Sequence, residues 1–311
     1  MKVLFVSSGN SNIGISPIVK KQGESLQNEG MSLSFFTIKG KGILGYLKNI
    51  NKLKRRINEY QPDLIHAHYS LCGFVSALTK PKQPIVTSLM GSDAASRKSL
   101  TGLIKYFKTQ SWSHCIVKSE EMKISLGFDD ISVIPNGVDL KMFQSEPKAE
   151  AQQKLGWSKA HRHILFGANP DRAVKNFDLT NEAFNQFKAE YPEVQLHVLK
   201  DKKHEDIPLL MNASDVMVLS SLREGSPNVV KEAMACSVPI VATNVGDVTW
   251  LFGDLPGHYV SDFNASDMKH QLVKALNFDK KTEGRERILN LGLDDQSTAK
   301  RIINIYKSLR C

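Results

Sequence analysis

The chain alternates short apolar runs with longer stretches in which apolar residues recur at helical spacing. Runs of the first kind are typical of buried strands, and stretches of the second kind are typical of amphipathic helices. In the first half, strands are predicted at residues 3–7, 32–37, 63–66, 84–89, 115–118 and 133–135. Helices are predicted between most of them, including 17–28 and a long one over 44–60. Strands that alternate with helices predict a parallel α/β sheet.

This alternation stops once and then restarts. Residues 141–161 are polar and charged, and they predict one short helix within an interdomain connection. The alternation resumes with strands at 164–167, 194–200, 215–220, 239–243 and 258–261. We therefore predict two doubly wound parallel sheets, with ligands outside the carboxyl ends of the strands. The predicted divisions of the chain are residues 1–145, 160–295 and 296–311.

Composition limits the class and the location of the protein. The 311 residues are 41% hydrophobic and 23% charged, which suits two globular cores. No apolar run approaches the ~20 residues of a membrane span, and the run at 3–6 is shorter than a signal-peptide core of ~7–15. The four cysteines form no C-x-x-C pair, which predicts free thiols. We expect a cytoplasmic protein that is at most peripheral to a membrane.

The strongest local signal is the stretch SSLREGSPNVVKEAMACSVPIVAT. A predicted strand runs into a loop with Glu224 and Gly225, and then into a helix that Ser226 can cap and Pro227 can begin. A second acid, Glu232, follows the first by eight residues. A helix N-terminus suits a phosphate, and ionised carboxylates accept hydrogen bonds from hydroxyl groups. The stretch therefore predicts a site for sugar-like groups and phosphate, with two solvated helix acids as the alternative.

Through its AMAC and PIVAT segments, this stretch resembles the E-x7-E region of the retaining glycosyltransferases of family 4, which have the GT-B fold. The resemblance implies two Rossmann-like domains facing across a cleft, an acceptor-binding one followed by a nucleotide-sugar-binding one. It also implies a last helix that crosses back to the first domain. By resemblance, Glu224 binds hydroxyls of the donor sugar and Glu232 binds the ribose. The residues that help to seat sugar and phosphate are then Gly225, Ser226, Pro227 and Asn228.

A second cluster of charge lies in FGANPDRAVKNF. Arg172 and Lys175 follow a predicted strand and precede a helix, where a guanidinium fork and an ammonium can clamp a diphosphate. Solvated loop cations are the alternative. The sequence contains no Asp-x-Asp, and the resemblance implies an enzyme that uses neither a metal nor a cofactor. The family's arginine directly after the strand glycine is replaced by Ala168, so Arg172 is the predicted substitute.

The first half contributes residues from two further stretches. In the loop SSGNSNIGIS, Gly14 faces the donor phosphates and Ser16 the acceptor by resemblance, with an ordinary turn as the alternative. DLIHAHYS places His66 and His68 on one face of a strand, with His68 at the carboxyl end. The family's second histidine lines the cleft beside the transferred sugar, whereas a lone histidine is more often structural.

Three shorter matches extend the resemblance to about residue 250. TSLMGSD is similar to the family's H-G-x-D, with Met90 in place of the histidine and Asp93 on the acceptor side. IPNGVD matches a turn at the end of the first domain and places Asn136 on the acceptor side. NVGD, residues 244–247, resembles a loop that nears the donor sugar.

Charge points to an anionic partner. The net charge is +9, and five of the cations crowd the predicted helix over 44–60. Leu44, Leu47, Ile50, Leu53 and Ile57 form an apolar stripe on that helix. The stripe can pack on the sheet, or the helix can dock on anionic lipid. We predict no nucleic acid partner, because no binding motif is present.

Together with these features, the resemblance implies a metal-independent hexosyltransferase that acts with retention at the anomeric carbon. It would transfer a sugar from a nucleoside diphosphate to a hydroxyl of a glycan or lipid-linked acceptor in bacterial cell-surface polysaccharide biosynthesis. One alternative is a sugar-nucleotide epimerase or a phosphorylase on the same fold. Another is a nucleotide-sugar-binding protein without catalysis, which Met90 and the missing arginine favour.

Overall fold

The computed structural model describes residues 1–10, 14–91 and 98–309. The chain divides into two compact units. The first is Met1–Gly137 together with Asp295–Cys311, and the second is Val138–Asp294. Each unit is built on one parallel sheet with helices, so the two Rossmann-like sheets predicted from the alternation are confirmed.

The first unit contains a six-stranded sheet. Its strands are β1 (Lys2–Ser8), β2 (Ser32–Ile38), β3 (Leu64–His68), β4 (Ile85–Ser88), β5 (His114–Val117) and β6 (Ser132–Val133). Its helices before the second unit are α1 (Pro17–Asn28), α2 (Gly42–Leu47), α3 (Ile50–Tyr60), α4 (Ser70–Leu78), α5 (Lys98–Gln110) and α6 (Glu120–Leu126). The strand order is β2-β1-β3-β4-β5-β6, so the chain reverses its direction of winding between β1 and β3.

The second unit contains a five-stranded sheet. Its strands are β7 (Arg162–Phe166), β8 (Val194–Val198), β9 (Val216–Leu219), β10 (Ile240–Thr243) and β11 (His258–Ser261). Its helices are α7 (Lys148–Leu155), α8 (Phe177–Lys188), α9 (Ile207–Ala213), α10 (Asn228–Ala235), α11 (Val248–Phe252), α12 (Ala265–Asn277) and α13 (Gly284–Asn290). The order β11-β10-β9-β7-β8 repeats the reversal of the first sheet, here between β7 and β9.

The last helix, α14 (Asp295–Ser308), belongs to the first unit. Its apolar face packs in the same core cluster as Val3 and Phe5 of β1. Ile302 and Tyr306 of this helix are fully buried there. Strand β1 is apolar at four consecutive positions because helices cover both faces of a parallel sheet.

The helix predicted over residues 44–60 is two helices, α2 and α3. The break occurs at Asn49, whose side-chain amide donates to the carbonyls of Lys39 (3.0 Å) and Gly45 (2.8 Å). These bonds bind the start of α3 to the preceding loop and end α2. Leu53 of the predicted apolar stripe is buried, but Leu44 is 76% exposed because α2 points it away from the core. The stripe therefore covers only part of the predicted length.

The predicted interdomain connection packs on the second unit. The side chain of Asn212 on α9 accepts a hydrogen bond from the backbone of Glu146 (2.8 Å) and donates to the carbonyl of Gln144 (2.8 Å). Lys148 of α7 forms an ion pair with the buried Asp215. The first unit therefore ends at Gly137, before the predicted boundary at residue 145. Within the described residues, no helix combines the length and apolar character that a bilayer crossing requires.

His258 on the edge strand β11 is a buried imidazole. The residue is 8% exposed, and its ring stacks on Phe252 with ring centroids 5.0 Å apart. Neither ring nitrogen has a hydrogen-bond partner among the described residues. Burial lowers the pKa of His258 to about 4, because no nearby group compensates the charged form. As the pH falls, His258 therefore takes up a proton at a lower pH in the folded state than in the unfolded chain.

We predict that His258→Phe reduces the acid sensitivity of the second unit. A lowered pKa means that the stabilising contribution is complete above the unfolded value of 6.5 and is lost as pH falls towards about 4. The wild type should lose about 1–3 kcal/mol more unfolding free energy than the variant between neutral pH and pH ~4. Urea unfolding across this pH range measures the difference. The control is the exposed His270→Gln, and a variant as acid-sensitive as this control would contradict the prediction.

Candidate active site

Two loops lie at the point where the second sheet reverses its winding. Strand β7 has β8 on one side and β9 on the other, so the segments that follow β7 and β9 leave the sheet side by side. Ligands of doubly wound sheets bind at such points, outside the carboxyl ends of the strands. The loop after β7 covers residues 167–176, and the loop after β9 covers residues 220–227. Both contain residues that the sequence singles out.

The loop after β7 ends in one turn of 3-10 helix, Ala173–Lys175. Asn176 follows with a left-handed φ of 50°, a conformation that asparagine tolerates better than most residues. The turn directs Lys175 towards the neighbouring loop. Arg172 precedes the turn and is exposed, and its guanidinium has no hydrogen bond or ion pair within the described ranges.

Hydrogen bonds hold the two loops together. The backbone N–H of Leu222 donates to the carbonyl of Val174 (2.9 Å). The hydroxyl of Thr180 on α8 donates to Ser220 (2.8 Å), and Ser220 donates in turn to the carbonyl of Asn176 (2.7 Å). Thr180 and Ser220 are fully buried, so these two bonds satisfy hydroxyl donors that would otherwise be costly to bury. The relative position of the two loops is fixed before any ligand binds.

Lys175 and Glu224 meet across these loops. Lys175 Nζ lies 2.5 Å from Glu224 Oε1, and the Ser221 hydroxyl donates to the same oxygen at 2.7 Å. The two side chains are 13% and 16% exposed, so solvent screens this pair less than a surface pair. An ammonium group has three donors and a carboxylate accepts several hydrogen bonds. The pair therefore presents a cation and an acceptor side by side, while a small part of each stays open to solvent.

A third loop, after β10, packs directly on Gly225. Gly246 has a φ of +59°, and a Cβ at this position would lie 2.4 Å from the Gly225 carbonyl oxygen. Only glycine combines this backbone conformation with so close an approach. The segment predicted from the sequence at 244–247 is thus in contact with the loop that holds Glu224.

Two buried charged residues belong to the same part of the second unit. Asp247 is 7% exposed and Lys231 of α10 is fully buried. Burial raises the pKa of Asp247 to about 6, with Lys231 opposing the change. Burial likewise lowers the pKa of Lys231 to about 8, with Asp247 opposing. Perturbed groups of this kind concentrate at functional sites, and the sequence alone gave no reason to select Lys231.

Glu232 has a partner that sequence reasoning missed. His204 Nε2 lies 3.1 Å from Glu232 Oε1, and the Glu232 side chain is 13% exposed. His204 stands in a polar run with no motif, so no local signal marked it. The same holds for Ser221, whose contact with Glu224 depends on the loop geometry.

The remaining predicted residues lie in the first unit. His68 ends β3 and is 2% exposed, and Asn136 follows β6 and is 8% exposed. Gly14 has a φ of +72° with open space around it, which suits close approach by a ligand. Ser16 precedes α1 without capping it through its side chain. Asp93 lies outside the described residues.

The helix after β9 begins differently from the sequence prediction. Its first residue is Asn228, and Pro227 occupies the position before it without a side-chain cap. Ser226 therefore does not cap the helix. The reason is that Pro227, with its fixed φ of −70°, already takes the extended conformation that precedes the first turn.

Comparison with known families divides the chain in the same way as its structure. The family model "Glycosyl transferases group 1" matches residues 180–288, which include Glu224 and Glu232. The model "Glycosyltransferase Family 4" matches residues 23–142, which include His68. Together the two models match most of the chain, which belongs to glycosyltransferase family 4. The two sheets of this glycosyltransferase are the Rossmann-like domains of the GT-B fold, as predicted from the sequence.

A curated relative and two solved structures are similar to this glycosyltransferase. TuaC of Bacillus subtilis, whose name assigns it to teichuronic acid biosynthesis, is 32% identical over 230 residues. The match spans 66% of this chain and 58% of TuaC, less than two thirds of that relative. Sucrose-phosphate synthase from Thermosynechococcus elongatus has a TM-score of 0.82 at 18% identity, over 99% of this chain and 98% of that one. Anabaena HepE in complex with UDP has a TM-score of 0.78 at 17% identity, over 99% and 100%.

The contact between Gly246 and Gly225 predicts a large effect of a single methyl group. Gly246→Ala forces the loop after β10 away from the Gly225 carbonyl and should destabilise the second unit. The control is Gly156→Ala, where φ is +68° but no atom lies within 4 Å of the added carbon. We expect Gly246→Ala to cost about 1–3 kcal/mol more unfolding free energy than the control, measured by urea unfolding. Equal costs would mean that only the backbone conformation matters.

Proposed function

We propose that this glycosyltransferase moves a sugar from a nucleoside diphosphate to a hydroxyl of a glycan or lipid-linked acceptor, with retention at the anomeric carbon. The observation that carries the proposal is the contact between Lys175 and Glu224 at the reversal point of the second sheet. A sugar diphosphate needs a cation for its phosphates beside an acceptor for its hydroxyls. TuaC supports a role in cell-surface polysaccharide synthesis, and the HepE complex supports a nucleotide as the carrier.

In this proposal the donor exchanges the partners of an existing ion pair. A phosphate oxygen replaces the Glu224 carboxylate as the acceptor for Lys175. Glu224 then accepts a hydrogen bond from a sugar hydroxyl, with Ser221 still donating to it. The exposed Arg172, three residues before Lys175, supplies a second cation with fork geometry. Fixed cations stabilise the charge that develops on the departing diphosphate.

The second acid suits the nucleoside. One oxygen of the Glu232 carboxylate is already within hydrogen-bond distance of His204 Nε2, and the carboxylate can accept further hydrogen bonds from ribose hydroxyls. The Glu232 side chain is largely buried, so its charge is screened less than that of a surface acid. We propose that Gly225, Ser226, Pro227 and Asn228 seat the phosphates and sugar between these two acids.

Retention follows from a front-face displacement. The acceptor oxygen forms its bond to the anomeric carbon on the face from which the diphosphate leaves, as the bond to that diphosphate breaks. The departing phosphate oxygen takes the proton of the acceptor hydroxyl. Glu224 is paired with Lys175 and Ser221, which suits hydroxyl binding better than nucleophilic attack. Because side-chain cations meet the charge, the proposed reaction requires no divalent ion.

The site assignment is tested by two substitutions. Lys175→Ala removes the cation, and Glu224→Gln keeps the shape but removes the charge of the acceptor. We expect each to lower kcat by about 100-fold or more while the fold is retained. The assay measures transfer in the presence of EDTA, from the donor that stabilises the protein most among UDP-, GDP-, ADP- and CMP-sugars. Lys154→Ala, which removes an exposed ion pair of the same unit, is the control and should be unaffected.

Four results would contradict the proposal. Wild-type rates in both site variants would remove the assignment of Lys175 and Glu224. Activity that appears only when a divalent ion replaces EDTA would contradict the metal-free mechanism. An altered sugar nucleotide formed without acceptor would indicate an epimerase, and donor binding without turnover on any acceptor would indicate a binding protein.

The first unit carries a surface that suits an acceptor at a membrane. Ile43 and Leu44 of α2 are 59% and 76% exposed, which is unusual for adjacent large apolar residues. Exposed cations surround them in sequence: Lys39, Lys41, Lys48, Lys52, Lys54 and Arg55. Apolar side chains beside lysines favour the interface of an anionic bilayer. We propose that this surface docks the enzyme on the inner face of the cell membrane, where lipid-linked acceptors lie.

We predict that Ile43→Ser with Leu44→Ser weakens binding to anionic vesicles several-fold. The apolar contribution to docking is lost, while the lysines still provide a salt-sensitive attraction. Co-sedimentation with phosphatidylcholine vesicles, with and without phosphatidylglycerol, measures this. The control is Ile124→Ser on α6, a residue of the same unit that is 77% exposed. Equal sedimentation of the α2 variant, the control and the wild type would refute the surface assignment.

A further inference from the structure

The last helix reaches the centre of the first sheet through one side chain. Tyr306 of α14 is fully buried, and its hydroxyl lies 2.5 Å from His66 Nδ1 on β3. The two residues are 240 positions apart in the sequence. Packing alone would need only the ring of Tyr306, since a phenylalanine fills nearly the same space. The Tyr306 hydroxyl is buried, and it forms a hydrogen bond with His66.

His66 is held at both ring nitrogens. Its Nδ1 faces the Tyr306 hydroxyl, and its Nε2 lies 2.8 Å from the Ser88 hydroxyl on β4. Burial, with smaller contributions from His68 and Lys118, lowers the pKa of His66 well below its usual value. Burial also raises the pKa of Tyr306 well above its usual value. Both groups are therefore neutral at physiological pH, and the hydrogen bonds fix the orientation of the His66 ring.

The His66 ring supports the ring of His68. The two imidazoles stack with centroids 4.2 Å apart and an interplanar angle of 29°. Phe5 contacts both rings, at 5.1 Å and 4.5 Å. His68 Nε2 is buried and has no hydrogen-bond partner in the described part of the chain. The orientation of the His68 ring thus depends on stacking contacts, of which the one with His66 is anchored by Tyr306.

We infer that Tyr306 is a positioning residue: its hydroxyl, acting through His66, sets the orientation of the His68 imidazole. The inference rests on the proposed function together with the role that the family resemblance implies for His68, beside the transferred sugar. It gives the last helix a role in the site besides packing. The role requires the hydroxyl, the stack and a neutral pair of imidazoles, and each is present within the first unit.

The kinetic test compares variants of the full-length chain. Tyr306→Phe removes the hydroxyl and keeps the ring, and we expect kcat for sugar transfer to fall about tenfold. The KM for the donor should stay within about twofold, because the contacts that we propose for Lys175 and Glu224 with the diphosphate and the sugar hydroxyls do not change. Ile302→Val on the same helix loses packing but not the hydrogen bond, so it should lower stability and leave kcat unchanged. A similar kcat for both variants would overturn the inference.

A double-mutant cycle shows whether Tyr306 acts through His68. In a His68→Gln background, Tyr306→Phe should cause no further loss of kcat, because the ring that it positions is absent. A further tenfold loss in that background would mean that Tyr306 acts by another route. It would overturn the inference even if the single variant is slow.

A measurement without substrate separates this inference from the proposed function. Nitrogen-15 NMR of the imidazoles, with His68 assigned by the His68→Gln variant, reports ring environment and tautomer. We expect the His68 signals to shift in Tyr306→Phe and not in Ile302→Val. Unchanged His68 signals would overturn the inference. A wild type with no transferase activity but with shifted signals would refute the proposed function and leave the contact from Tyr306 to His68 established.

Discussion

The ion pair between Lys175 and Glu224 depends on how the second sheet is wound. Strand β9 returns beside β7 rather than beside β8, and this reversal brings two loops together that are about fifty residues apart along the chain. The hydroxyls of Thr180 and Ser220 then fix one loop against the other. A parallel sheet without that reversal would leave the cation and the carboxylate on loops that are not neighbours. The chemistry that we propose for the donor therefore follows from strand order first and from side-chain identity second.

The two units handle buried polar groups in different ways. In the second unit, Lys175 and Glu224 form an ion pair that is partly exposed, and the buried Asp247 and Lys231 oppose each other's pKa changes. In the first unit, the imidazoles of His66 and His68 avoid charge altogether, since burial lowers both pKa values. Charged pairs suit an anionic ligand. Neutral rings suit contact with an uncharged sugar or hydroxyl group.

Much of the fold could be predicted from the sequence, because apolar runs and helical spacing are local signals. The loop with Glu224 and Gly225 was also predictable, since glycine and proline mark its turn. Features that depend on distant contacts could not be predicted. The break between α2 and α3 requires the Asn49 side chain to reach the Lys39 carbonyl. The sequence predicts residues 141–161 as an interdomain connection, because nothing local reveals that the Asn212 side chain binds the backbone of this segment.

The same distinction applies to the candidate site. Lys175 and Glu224 each stand in a recognisable loop, so a role could be proposed for each before their contact was known. The partner of Glu232 could not, because His204 lies in a run of charged residues with no motif. The hydrogen bond of Tyr306 was the least predictable contact, since an aromatic residue on a terminal amphipathic helix indicates only that its ring packs in a core. Its partner is 240 residues away.

The central claim is that a diphosphate binds between the loops after β7 and β9. Its most direct test is a crystal structure of the protein with the nucleoside diphosphate that stabilises it most. Our account predicts phosphate oxygens within about 3 Å of Lys175 Nζ, with the Glu224 carboxylate released from the ammonium group. A diphosphate bound elsewhere, with the pair of Lys175 and Glu224 intact, would contradict it.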